Sequence, residues 1–98
     1  MRTVKWSAQA KLDYASNVDY LLEHWSEKEA MRFVASVEKI ISDLKSGIVN
    51  FMPTNKKDVR RCVVCKQVTL FYRVKNNDRV ELIRFWNNYG DTKTLRFQ

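Results

Sequence analysis

The side chains best suited to chemistry in this chain are cations set among aromatic rings. Arg60, Lys66, Phe71, Arg73, Arg84 and Trp86 fall in a stretch where apolar and polar residues alternate, so on extended backbone they share one face, and Lys56 and Lys57 lie just ahead of it. Guanidinium groups hold phosphate oxygens and aromatic rings stack on bases, the combination used in binding single-stranded RNA. Were a phosphodiester cleaved on this face, Arg60 and Arg84 would stabilise the charge developing on phosphorus, and Tyr89 or a lysine would move the protons. The same residues would equally make a solubilising sheet surface whose aromatic side chains a partner covers.

Other chemistries find too few residues. Cys62 and Cys65 form a C-x-x-C, but on a strand positions i and i+3 point to opposite faces, which predicts two ordinary reduced thiols. Zinc would need about two further ligands, and the chain has one histidine and no other cysteine. That histidine, His24, falls near a predicted helix C-terminus and reads as a surface residue. With two glycines there is no Gly-rich phosphate loop, and no Ser-His-Asp set can form without His24. The residues call for no cofactor and no metal.

Periodicity sets the framework that carries the basic face. Thr3 to Trp6 is β-prone, and Ser7 offers an N-cap to a first helix on which Ala8, Leu12, Ala15, Val18, Leu22 and Trp25 form an apolar stripe. Ser26 and Glu29 make a capping box for a second helix. There Ala30, Phe33, Val34, Val37, Ile40, Ile41 and Leu44 keep the 3.6-residue period until Gly47, a C-cap. After a loop through Met52, Pro53, Thr54 and Asn55 the period becomes 2. Three antiparallel strands are predicted at about 59–66, 68–75 and 79–86, with Asn76, Asn77 and Asp78 turning between the last two. Val63, Cys65, Val68, Leu70, Tyr72, Val74, Ile83 and Phe85 then face the helices. The expected fold class is α+β: two antiparallel helices on one face of a small antiparallel sheet, in the order β-α-α-β-β-β.

Ninety-eight residues predict one domain, 1–98. The charge of +7 is unevenly distributed, because residues 1–47 carry seven basic and seven acidic side chains while residues 48–98 carry eleven basic against four acidic. The second half is therefore expected to meet nucleic acid or an acidic protein. No run approaches the roughly 18 apolar residues of a membrane span, and Met1–Trp6 lacks an apolar signal core, so the expected location is cytoplasmic, with no membrane partner.

This order of elements in a small basic chain resembles the RelE/ParE superfamily of bacterial type II toxins. The residues that carry the resemblance are Trp6-Ser7-Ala8-Gln9-Ala10-Lys11-Leu12-Asp13, Leu70-Phe71-Tyr72-Arg73-Val74 and Val80-Glu81-Leu82-Ile83-Arg84-Phe85-Trp86-Asn87-Asn88. The resemblance implies a cognate antitoxin that wraps the toxin and covers its active surface. RelE-like members are ribosome-dependent endoribonucleases acting on mRNA. By that likeness Arg60 stands at one of their lysine positions and Tyr89 near their C-terminal tyrosine, while two of their arginine positions fall at Thr69 and close to Gly90. ParE-like members are similar to inhibitors of DNA gyrase, which act by binding; the run Phe85 to Asp91 resembles theirs, with Tyr89 where arginine is usual. The expected function is a ParE-like gyrase-binding toxin. The alternatives are a RelE-like endoribonuclease and a non-toxic binding module on the same fold.

Overall fold

The computed structural model describes residues 2–47, 51–76 and 78–89. The elements run β1 (Thr3–Trp6), α1 (Ala8–His24), α2 (Glu27–Ser46), β2 (Met52–Pro53), β3 (Val59–Cys65), β4 (Val68–Lys75) and β5 (Arg79–Asn87). Five strands form one sheet in the order β1-β5-β4-β3-β2, and both helices pack on one face of it. The fold is the expected α+β arrangement with two additions. β1 runs parallel to β5, Val4 opposite Val80, so the sheet is mixed; and Met52–Pro53, read as loop, pairs with Arg60 and Arg61 as a short edge strand. Asn76 closes the β4–β5 turn at φ 56, a left-handed angle that asparagine tolerates; Asn77 lies outside the described residues.

α2 follows its sequence closely. Ser26 Oγ accepts from Glu29 N at 3.1 Å, Gly47 holds φ 75, and Ala30, Phe33, Val37, Ile40 and Leu44 are buried. α1 does not. The stripe through Ala8, Leu12, Ala15, Leu22 and Trp25 faces outward, with Leu12 64% exposed, and the buried positions are Ala10, Asp13, Asn17 and Leu21. The reason lies on β5. β1 ends opposite Leu82, and beyond that point α1 bonds the edge of β5 in place of a strand. Ser7 N donates to Leu82 O (3.0 Å), Ser7 Oγ to Ile83 O (3.0 Å), Phe85 N to Asp13 Oδ2 (3.1 Å) and Asn17 Nδ2 to Phe85 O (2.9 Å). Polar side chains one turn apart thus turn inward because backbone groups would otherwise lie buried and unpaired.

Two bulges shift the strand faces. On β3 the register slips between Val63 and Cys65, so Cys62, Val64 and Cys65 all pack toward the helices while Val63 points out, 72% exposed. The expectation for Val63 is thereby reversed, and the two cysteines share a face although the strand period opposes it. Both are free thiols, and burial pushes Cys62 up to about 12 from an ordinary 9.0. On β5, Tyr72 pairs with Leu82 and Phe71 with Arg84, leaving Ile83 as the extra residue. Ile83 joins Val59, Phe71 and Trp86 in a second small cluster on the face away from the helices, instead of packing beneath them. The main core gathers Trp6, Tyr14, Phe33 and Phe85, with ring centroids 5.3 to 6.1 Å apart, above Leu70, Tyr72, Val80 and Leu82.

Candidate functional site: the open face of the sheet

Cross-strand partners share a face, so the register identifies which side chains occupy the side without helices. Arg61 lies opposite Phe71, Val63 opposite Thr69, Thr69 opposite Trp86, and Arg73 opposite Glu81. Between them runs an open trough of about 460 Å³ bordered by Met52, Arg61, Val63, Thr69, Phe71 and Trp86. It is chiefly apolar. Met52 (61% exposed) and Val63 form its rim, and Thr69 Oγ1 donates to Asn88 Oδ1 (2.9 Å) at one end.

Of the side chains expected on this face, Phe71, Arg73 and Trp86 are there. Arg73 is engaged with Glu81, Nη1 to Oε1 at 3.6 Å, and Lys75 approaches the same carboxylate at 3.8 Å. Arg84 sits at the β5 bulge and is bound to α1: its Nε donates to Asp13 Oδ2 (2.8 Å) and its Nη2 to Asp13 Oδ1 (3.2 Å), with the guanidinium 5.3 Å from the Trp86 ring centre. A bidentate carboxylate partner leaves Arg84 poorly placed to take a phosphate. Arg60 is on the other face. It pairs with Tyr72, whose side chain lies in the main core, and donates through Nη1 to Phe51 O at 2.7 Å. The residue that does face outward at this place on β3 is its neighbour Arg61, which the assumed strand phase overlooked.

Lys66 is not on the open face either. It lies in the β3–β4 turn, its Nζ 5.0 Å from the Trp25 ring centre, and Trp25 in turn is 5.8 Å from Tyr89. Tyr89 is 55% exposed at the end of the molecule where α1 meets α2. Lys56 and Lys57 occupy the β2–β3 loop at the opposite end, beside Arg60 and away from the trough. The expected sites thus separate: Phe71, Arg73 and Trp86 on the open face, Lys66 and Tyr89 in an aromatic and lysine cluster at one end, Lys56 and Lys57 in a basic loop beside Arg60 at the other, and Arg84 held by Asp13 on α1. Gly90 lies outside the described residues.

Two tyrosines in the core are pushed up from 10.0. Tyr14 is raised by burial and then by the Glu38 charge. Tyr72 is raised by burial, against the hydrogen bond its oxygen accepts from Phe51 N and the nearby Arg60 charge. Neither is placed to act as an acid or base near neutral pH. Among the described residues no group of three histidine, cysteine or carboxylate side chains could hold a metal ion.

Comparison with known proteins agrees with this geometry. The family model for the ParE toxin of type II toxin-antitoxin systems matches residues 4–88, which takes in β1, both helices and the sheet. The chain belongs to the ParE toxin family. A comparison with curated proteins finds no match. Among solved structures the ParE-type fold recurs in a chain of the chromosomal ParDE system of P. aeruginosa, at TM-score 0.70 and 18% identity over 89% of this chain and 96% of that one. A YoeB/ParE toxin from Agrobacterium tumefaciens gives 0.62 and 15% over 89% and 99%. A chain of the E. coli DinJ-YafQ complex gives 0.61 and 13% over 92% and 100%. At these identities the likeness is one of fold. Among the described residues no helix of this ParE family member is long and apolar enough to cross a membrane.

Proposed function

We propose that this ParE family member arrests bacterial growth by binding DNA gyrase without itself cutting a substrate, and that a cognate antitoxin neutralises it by covering the open face of the sheet. The observation that carries this reading is the makeup of the trough. A surface that cleaves phosphodiesters needs cations and a proton-moving group converging on one phosphate. Here Met52, Val63 and Phe71 border the trough, Thr69 stands in it, and Arg84 is held by Asp13. Exposed apolar side chains with an arginine at the rim suit burial against protein.

The RelE-like reading, an endoribonuclease acting on ribosome-bound mRNA, draws its support from Arg61 on the open face and Tyr89 exposed at its end. Pulse-labelling of DNA and protein synthesis after tightly controlled induction separates the two. An early fall in DNA synthesis, with purified protein inhibiting gyrase supercoiling and leaving ribosome-bound mRNA intact, is the expected result. An early fall in protein synthesis with new cuts in the ribosomal A site would replace it by the endoribonuclease. Growth unaffected by the chain would leave a binding module on a toxin fold.

A further inference from the structure

At the end of the sheet away from Tyr89, the β2–β3 loop folds over a second cavity of about 410 Å³ that shares no lining residue with the trough. Its wall holds Lys56, Lys57 and Arg60 with one carboxylate, Asp58, and the polar side chains of Thr54 and Asn76. The loop is built, not merely charged. Thr54 Oγ1 accepts from Lys56 N (3.1 Å) and donates to Val59 O (2.9 Å), Thr54 N donates to Val59 O (3.1 Å), and Asp58 turns the chain at φ 64. Arg60 is anchored by its bond to Phe51 O, which uses one of the five N–H donors of a guanidinium. Exposed Lys75 and Arg79 flank the β4–β5 turn at the same end.

We infer that this cavity is a phosphate subsite through which the protein grips a nucleic-acid backbone, an interaction separate from the gyrase contact proposed above. A half-buried, anchored arginine and two exposed lysines lining one cavity make an arrangement suited to a tetrahedral anion. The lining is mostly polar, whereas an acidic peptide would need apolar anchors of the kind found in the trough.

The test uses fluorescence anisotropy of the purified protein, without gyrase, on a short labelled DNA duplex and on a single-stranded RNA of equal length. Between about 50 and 200 mM salt, affinity should fall steeply, and the Lys56→Ala/Lys57→Ala variant should weaken binding and lower the logarithmic salt slope by about 1 or more. Arg60→Lys keeps the charge and loses the fork, so it should weaken binding while leaving the slope near that of the parent. Whichever polymer binds more tightly identifies the source of the phosphate. Three results would overturn the inference: no binding to either polymer, an equal loss in the charge-matched control Lys11→Ala/Lys28→Ala, or poly-glutamate bound as tightly as the duplex. Thermal melting of each variant separates lost binding from lost folding. Because gyrase is absent, the outcome leaves the gyrase reading to its own test.

Discussion

Replacing Asp13 by alanine would leave several donors stranded at once, because its carboxylate accepts from Arg84 Nε and Nη2, from Phe85 N and from Gln9 Nε2. Removing one partner of a buried pair costs about 3–5 kcal/mol, and urea unfolding of Asp13→Ala should show a loss of that order. Arg84→Ala leaves the carboxylate with Phe85 N and Gln9 and should cost clearly less. Titration gives a second expectation. Cys62, Tyr14 and Tyr72 are all held above their ordinary values, so the folded state keeps protons that the unfolded state has released. The Cys62 contribution is therefore complete below pH 9.0, the ordinary thiol value, and is lost as pH rises from there toward about 12, while those of Tyr14 and Tyr72 begin to be lost only above 10.0. Melting followed by circular dichroism should be flat near neutrality and fall above pH 9.0, less steeply in Cys62→Ala. The Asp13 network was not visible in the residue types. Asp13 reads as a solvated helix position, and its partner is 71 residues away.

The elements were legible where local pattern and tertiary packing agree. In α2 the capping serine, the apolar period and the terminal glycine point to one answer, and the helix obeys all of them. Gly47→Ala should cost about 1–2 kcal/mol, since Gly47 holds φ 75, and the added Cβ would also lie 3.4 Å from Arg2 Nε. Ser26→Ala removes a cap and should cost about 1 kcal/mol; chemical denaturation measures both. In α1 the same reasoning selected the wrong face. Its inward positions were decided by backbone groups of β5 that no local window contains, and the displaced Leu22 now lines an outer groove with Met31. The bulges at Val64 and Ile83 had the same effect on the candidate site. Counted back from Cys65, which packs on the helices, plain alternation would turn Val63 and Arg61 inward and Arg60 outward; the extra residue Val64 reverses all three.

For the molecule as a whole, the families of side chains that could act on a partner lie on separate surfaces. That separation allows function to be altered without altering stability. Val63→Glu places a charge on the rim of the apolar trough at a site already 72% exposed. Its melting temperature should match the parent, with a stability change within about 0.5 kcal/mol, while growth arrest on induction is lost. A Val63→Glu protein that still arrests growth would move the target contact off this face. The overall architecture and the positive bias of the second half were readable from order and charge. The separation itself was not, because it depends on which end of each strand a loop occupies.

The parallel pairing of β1 with β5 has a further consequence, for synthesis. Val4 finds its partner only at Val80, and α1 settles only when Asp13 and Asn17 meet Phe85. Sheet pairings this distant in sequence form slowly. A ribosome making this chain from its first residue therefore releases β1 and both helices before the strand that joins them exists. The nascent polypeptide cannot present a finished trough, which Trp86 and Asn88 help to line, until β5 has emerged.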